Sequence, residues 1–271
     1  MIIITCSLSA QIQSNNNVKN NWSLSIQYHN YNSYSQQKND FPLIAGYPAI
    51  KGSSPNLALA KKITKERISH RFELEITCPT NLTSDNGTGH NYLLQSDKSN
   101  YFRTKLNYCC NFPLFKWECL ETKHAIVAGI LYENRKLTYL AGDKELSCDV
   151  NLYFGPGFKI KFPINSNCEL KGEFNSHFYL PYLNYGKIEI QNSESSRVYS
   201  SNYHAFYYQT VLNLGIKYKV SNNESIHIGF RKEDTVGFAN SRPLFYIDDM
   251  IHFKLYRNYV FYVKYSFGDI L

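Results

Sequence analysis

Apolar and polar residues alternate along most of the C-terminal half of the chain. Between residues 148 and 162 the even positions are mostly apolar or aromatic, as at Leu152 and Phe154, whereas the odd positions include Asp149 and Lys159. Successive side chains of a strand point to opposite faces, so this period of two predicts a β-strand with one apolar and one polar face.

The alternating segments are long, and turn-forming residues separate them. The pattern returns at residues 168–180 and 206–218, and the stretches 163–167 and 221–223 are rich in Asn and Ser. Strands of soluble proteins average roughly five or six residues, whereas strands that cross a bilayer need roughly nine to eleven. A soluble two-sheet sandwich also alternates, but the strand length and the aromatic apolar faces favour a transmembrane barrel.

Ten segments carry this strand pattern, and the connections between them alternate between long and short. The long ones include residues 31–55, 79–100 and 181–205, and the short ones include 64–67. The sequence therefore predicts an all-β, up-and-down antiparallel transmembrane β-barrel with short periplasmic turns and long extracellular loops. Eight or twelve strands remain alternatives if the weaker segments near residues 22 and 56 are misassigned or the last one splits. The ten predicted strands are residues 22–30, 56–63, 68–78, 101–112, 117–132, 148–162, 168–180, 206–219, 223–231 and 250–267.

Composition is compatible with a single barrel domain. The chain has 271 residues, a mean hydropathy of −0.40, and no run of 18 apolar residues that could form a transmembrane helix. The net charge of +7 is dispersed, with no basic helix or stacking platform, so we expect no nucleic-acid partner. The expected partners are outer-membrane lipid, the barrel-assembly machinery during insertion, and an unknown extracellular ligand of the loops.

The first ten residues, MIIITCSLSA, are apolar and end in small residues that are typical of a signal-peptidase site. We interpret residues 1–10 as the remnant of a signal peptide, residues 11–21 as a short N-terminal segment and residues 22–271 as the barrel domain. An ordinary buried strand is the alternative interpretation of residues 1–10.

Six cysteines follow residue 10. They form no CxxC pair, and no His cluster has the spacing of a zinc site. We therefore predict no metal, no other cofactor and no obligatory disulfide framework.

Three stretches resemble outer-membrane β-barrel proteins of Bacteroidetes-type bacteria, of the small porin-like or OmpA-like kind. They are VNLYFGPGFKIKFP from Val150 to Pro163, LKGEF from Leu170 with the following FYLP, and YVKYSFG ending at Gly268, beside the LSAQ of the N-terminus. The resemblance covers roughly the C-terminal half and implies a barrel in the bacterial outer membrane, without a catalytic signature. The chain departs from the family where GDIL follows Phe267, because members usually end on an aromatic residue.

The strand phases place charged side chains of both signs on the inward face. One interpretation is a closed polar core of salt bridges, since charges enclosed in a narrow barrel must be paired or hydrated. The other is a narrow conduit that favours anions because its cations outnumber its carboxylates. The predicted lumen-lining charged residues are Arg71, Glu73, Glu75, Arg103, Lys105, Lys159, Lys161, Glu169, Lys171, Glu173, Lys217, Arg231, Lys254 and Lys264, together with His227.

Two other function classes remain open. A barrel hydrolase of the omptin-protease or lipid A deacylase kind would use Asp248, Asp249 and His252 at the outer rim, with His204 nearby. A soluble secreted β-sandwich adhesin is the third class. No recognisable nucleophile accompanies the carboxylates, so we predict a non-enzymatic barrel whose long loops carry recognition.

Overall fold

The computed structural model describes residues 18–37, 50–65, 68–84, 94–117, 120–140, 142–191, 196–202, 204–240 and 251–268. No helix among these residues is long and apolar enough to cross a membrane. The interpretation of residues 1–10 as a signal remnant lies outside the described part. The strands are β1 (Val18–Gln37), β2 (Ile50–Lys65), β3 (Ile68–Asn81), β4 (Thr83–Ser84), β5 (Asn100–Trp117), β6 (Leu120–Thr138), β7 (Lys144–Pro163), β8 (Cys168–Gln191), β9 (Ser196–Asn202), β10 (His204–Lys219), β11 (Glu224–Asn240) and β12 (Ile251–Gly268).

Ten of these described strands close into an antiparallel barrel. The order around the wall is β1, β12, β11, β10, β8, β7, β6, β5, β3, β2, and β2 pairs back onto β1. The two-residue β4 adds to β2, and β9 adds to β8. The predicted all-β fold and its ten strands are thereby confirmed.

The strands extend beyond the bilayer-sized segments that the sequence indicated, so several predicted loops are wrong in part. The predicted loop 31–55 is shortened at both ends, because β1 continues to Gln37 and β2 begins at Ile50, and β11 continues to Asn240. Residues 133–147 are mostly strand, with a connection at residues 139–143 in which Gly142 has a φ of 97°. Residues 181–205, also expected to form a loop, continue β8 to Gln191 and return as β9. Over residues 133–136 both faces of β6 are polar, so the alternation that marks a strand in the sequence disappears there.

A bulge in β8 also hides the pattern. Asn151 pairs with Pro181 and Val150 with Leu183, so that Tyr182 is the extra residue and is 74% exposed. An extra residue exchanges the two faces of the strand from that point onward. Asn184 accordingly becomes an inward, buried residue.

The outer wall carries a continuous apolar belt. On β10 the outward positions run from Phe206 to Tyr218 and include Leu212, Leu214 and Ile216, all exposed. Twelve residue steps at about 3.3 Å, tilted by about 40°, cover roughly 30 Å along the barrel axis, which matches the hydrocarbon thickness of a bilayer, about 30 Å. Trp22 lies at the short-turn edge of the belt, where the Lys61 ammonium lies 5.0 Å from its ring.

Tyrosine rings fill the inner wall by lying over glycines of the neighbouring strand. The ring of Tyr153 packs where a Cβ on Gly129 would stand, and Tyr262 occupies the same position over Gly229. Each tyrosine is the direct register partner of its glycine. Glycine at these positions lets a large ring lie flat against a sharply curved wall.

The end of the barrel with the long connections is filled by an apolar cluster. Leu82 and Leu137 are buried there against the stacked rings of Tyr31 and Tyr101, whose centroids are 4.6 Å apart. The Leu82 N–H donates to the carbonyl of Ser99 at 2.9 Å. The described parts of residues 79–100, expected to form an outward loop, therefore pack partly into this mouth.

Candidate functional site

An ion pair spans the barrel at mid-height. Arg103 of β5 and Glu233 of β11 project from diametrically opposite strands, and Nη1 of Arg103 donates to Oε2 of Glu233 at 2.9 Å. Their side chains are 2% and 0% exposed. A single pair of side chains thus crosses the whole lumen.

A second cross-lumen pair supports the first. Arg231, two residues before Glu233 on β11, donates from Nη2 to both carboxylate oxygens of Glu75 at 2.9 Å. Its Nε lies 3.0 Å from Glu233 Oε1. Glu233 is therefore held between two arginines, one from its own strand and one from the opposite wall.

Glu133 and its neighbours complete this layer. Glu133 lies 4.0 Å from Arg103 Nε and accepts a 2.6 Å hydrogen bond from the hydroxyl of Tyr101. Lys105, 5% exposed, has its ammonium 5.0 Å from the ring centroid of Tyr153. We call Glu75, Arg103, Glu133, Arg231 and Glu233 the central network.

The central network closes the lumen. Glu233 is fully buried, and His29, Asn56 and Val260 at the same level are at most 1% exposed. The two arginines and three carboxylates pair with one another, as buried charges require. In this conformation the Arg103–Glu233 pair is closed to water at mid-barrel.

Below the central network, toward the short turns, the lumen widens into a cavity of about 330 Å³. It reaches the turn between β10 and β11, where Ser221, Asn222 and Asn223 line it. Ten Lys or Arg side chains and four Glu side chains line its wall, an excess of six cations. The cations of this basic cavity are Lys62, Arg71, Lys123, Lys159, Lys161, Lys171, Lys217, Lys219, Arg231 and Lys264, and the carboxylates are Glu73, Glu121, Glu173 and Glu224.

Most cations of the basic cavity are paired. Arg71 lies 2.5 Å from Glu73, and Lys159 lies 3.1 Å from Glu173. Glu121 forms ion pairs with Lys123 at 2.8 Å and with Lys161 at 3.1 Å. Glu169 forms ion pairs with Lys171 at 3.6 Å and with Lys219 at 3.8 Å.

Three lysines of the basic cavity have no ion pair or hydrogen bond to any residue that the structure describes: Lys62, Lys217 and Lys264. Lys264 and Lys217 flank His227 in register, on three adjacent strands. Ser25 is the register partner of Lys264 on the other side, and its buried hydroxyl likewise has no hydrogen-bond partner among the described residues. Ser25, Lys264, His227 and Lys217 thus form a polar row across four adjacent strands of the ten, β1, β12, β11 and β10.

The residues predicted to line the lumen divide between these two regions. Glu75, Arg103 and Arg231 belong to the central network, with Lys105 beside it. The side chain of Lys254 lies outside the described residues. The predicted residues that line or border the basic cavity are Arg71, Glu73, Lys159, Lys161, Glu169, Lys171, Glu173, Lys217, Lys264 and His227.

Sequence reasoning missed Glu233 and Glu133, because the predicted strands ended at residues 231 and 132. Extending each strand by two residues in the same phase would have found Glu233, since it follows Arg231 on the inward face. It also missed Lys62 and Glu121, which lie inside predicted strands on the inward phase.

The residues weighed for catalysis lie outside what the structure describes. Asp248 and Asp249 are not described, and neither are the side chains of His252 and His204. Among the described residues no group of three His, Cys, Asp or Glu side chains has the arrangement of a metal site.

Comparison with solved structures finds outer-membrane barrels. The outer membrane protease OmpT from Escherichia coli superposes with a TM-score of 0.59 at 10% identity, covering 93% of this chain and 97% of that one. The translocator domain of the autotransporter NalP from Neisseria meningitidis gives 0.41 at 10% identity, over 91% and 88% of the two chains. The Pseudomonas putida toluene transporter TodX gives 0.38 at 10% identity, over 93% and 90%.

No protein-family model and no curated protein matches the sequence. The TM-scores for NalP and TodX are below 0.5 and do not establish a shared fold. The likeness to OmpT establishes the fold alone: this chain has the architecture of an outer-membrane β-barrel.

Proposed function

We propose that this chain is an integral protein of the bacterial outer membrane with a structural or loop-mediated binding role, without an open pore and without catalytic activity. The observation that carries the proposal is the cross-lumen pair of Arg103 and Glu233, which closes mid-barrel. A wall that is apolar outside and sealed inside suits a rigid membrane scaffold. Binding then falls to the structure at the barrel's long-loop end.

That end offers a rigid platform. The upper parts of β7 and β8 and the short β9 form a three-stranded extension, in which Glu189 pairs with both Lys144 and Val198. Val198 is 55% exposed on this sheet. An extended sheet holds an exposed surface at a lower conformational cost than a free loop of the same length.

The location is tested by fractionating expressing cells and running detergent-extracted outer membrane on a gel with and without boiling. We expect the protein in the outer-membrane fraction, with a mobility that changes on heating because a closed barrel resists detergent until it is heated. Recovery in the aqueous fraction without a shift would contradict the membrane proposal.

The closed lumen is tested by conductance in a planar bilayer. We expect no discrete current from the wild type and current steps from the double variant Arg103→Ser/Glu233→Ser, since that change removes the bridge and leaves Arg231 paired with Glu75. The matched control is Lys232→Ser/Asp234→Ser, which removes the ion pairs of Asp234 with Lys232 at 2.6 Å and with Arg257 at 2.9 Å from the outward side of β11 and should remain silent. Discrete wild-type current would overturn the sealed scaffold in favour of the anion conduit.

The absence of catalysis is tested with fluorescent casein and with lipid A as substrates. We expect no turnover of either. Cleavage that is lost in His252→Ala or Asp249→Ala would establish the hydrolase instead.

A further inference from the structure

The geometry points to a ligand site that is closed at one end by the central network. We propose that the basic cavity binds a compact polyanion carrying two or more phosphate groups, which enters from the short-turn end. This inference goes beyond the proposed scaffold role, because it assigns a ligand to the lumen rather than to the loops.

The first argument is charge balance. The cavity wall carries six more cations than carboxylates, and the adjacent Glu75, Glu169 and Glu233, which pair with its cations, reduce that excess to three. Charges enclosed in a protein are normally paired. The nearby carboxylates are already engaged: Glu173 by Lys159, Glu121 by two lysines, and Glu169 by two more. Lys62, Lys217 and Lys264 are therefore available to a ligand.

The second argument is shape. The volume of about 330 Å³ lies at the small end of the range for small-molecule sites, roughly 300–1,000 Å³. The cavity ends at the central network, where Arg231 and Glu75 are locked in a bidentate pair. An anion that enters from the short turns meets a closed wall, so the site captures a ligand and does not pass it on.

The third argument is the type of donor. The planar fork of arginine binds carboxylates and phosphates alike, but both arginines of the cavity are occupied, Arg71 by Glu73 and Arg231 by Glu75 and Glu233. The available groups are lysine ammoniums, each a compact charge with three donors, which suit phosphate oxygens.

A hydroxyl adds a neutral donor to this set. Ser25 is 3% exposed, lines the cavity and is the register partner of Lys264. Its Oγ has no hydrogen-bond partner among the described residues. A phosphate oxygen held by Lys264 would lie beside this hydroxyl.

The test is calorimetric titration of the full chain, refolded in non-ionic detergent, with inorganic pyrophosphate at low and at high salt. We expect saturable binding that weakens with salt, and a loss of roughly tenfold in affinity in Lys62→Gln and in Lys217→Gln, since each variant removes one charge-assisted hydrogen bond to the ligand. The matched control is Lys61→Gln, the next residue on the same strand, whose side chain lies outside against Trp22 and should leave the affinity unchanged.

Heat-modifiable migration of each variant shows that a loss of binding is not a loss of folding. The proposal is overturned if wild-type protein shows no saturable binding, or if Lys61→Gln weakens it as much as Lys62→Gln does. It is also overturned if citrate binds as tightly as pyrophosphate, because the site would then recognise charge rather than phosphate. The conductance test of the sealed scaffold is a separate measurement, so the two proposals fail independently.

Discussion

The central network and the basic cavity lie on the same inner wall, yet their charges behave differently. At mid-height every arginine contacts a carboxylate, and Arg103 finds Glu233 on the opposite strand at 2.9 Å. Toward the short turns Lys62, Lys217 and Lys264 line the cavity and form no ion pair or hydrogen bond with any described residue, although Glu169 is the register neighbour of Lys217. A lumen charge is structural when the opposite wall supplies its counterpart, and it is available to a ligand when the wall does not.

The choice of cation follows the same division. The central network uses arginine, whose fork can bridge two carboxylates, as Arg231 does with Glu75 and Glu233. The unpaired positions of the basic cavity are lysines, which stay hydrated more readily and pair as point charges. The comparison thus predicts different responses to the same kind of substitution in the two regions.

The largest effect is expected from Glu233→Gln. The change leaves Arg103 with only the more distant Glu133, at 4.0 Å, and Arg231 with only Glu75, and breaking a buried pair costs about 3–5 kcal/mol. We expect the free energy of unfolding, measured by urea titration in vesicles with tryptophan fluorescence, to fall by that amount. Asp234→Asn, the next residue on the outward side, should cost less than about 1 kcal/mol; equal losses would contradict the distinction.

The outer wall gives the next largest effect. Ile26 is 64% exposed in the middle of the apolar belt, and an arginine on the lipid face near the bilayer midplane costs about 2–4 kcal/mol. Ile26→Arg should therefore lower the free energy of unfolding in vesicles by that range. Ile26→Leu keeps the apolar area and should cost less than about 1.5 kcal/mol; a tolerated arginine would count against the membrane belt.

Gly129→Val tests the packing beneath the central network. The new side chain would occupy the space of the Tyr153 ring, and overpacking of this kind costs about 1–3 kcal/mol. The control is Gly172→Val, where the nearest atom to an added Cβ is Leu214 Cδ2 at 3.6 Å. Urea unfolding should separate the two variants, and similar losses would show that the ring is free to move away.

The smallest effect is expected from Lys217→Gln in the basic cavity. Removing an unpaired cation should change the free energy of unfolding by less than about 1 kcal/mol, as for exposed charges. Lys159→Gln, which breaks a 3.1 Å pair with Glu173, should cost about 1.5–3 kcal/mol. If Lys217→Gln proved as damaging as Lys159→Gln, Lys217 would have a structural partner.

Much of the fold could be predicted from alternation alone. Wherever a strand crosses the belt, as at residues 206–218, one face must be apolar and the other polar, so the period of two reports both the strand and its orientation. The prediction failed where that contrast ends. Residues 133–147 were taken as a loop because both faces of the strand are polar at residues 133–136. Residues 181–205 were taken as a loop because the bulge at Tyr182 exchanges the two faces, so the alternation does not continue in phase from the belt.

The sequence predicted many of the residues that belong to the candidate site, but not which of them pair with one another. The alternation of apolar and polar residues indicated that Arg103 and Glu75 face inward. Glu233 was missed because the predicted strand ended at residue 231. No local pattern relates Arg103 to Glu233, which are 130 residues apart. Their contact depends on how many strands close the barrel and on the register of every pair between them.

The sequence by itself determined the β-strands of the belt, the face that each residue occupies and the excess of cations inside. Those features follow from the two-residue period of a strand and the difference between lipid and water. Only the tertiary structure decided that the arginines meet carboxylates at mid-height while three lysines toward the short turns do not. Closure of the wall sets which strands face one another, and that is a property of the whole barrel rather than of any segment.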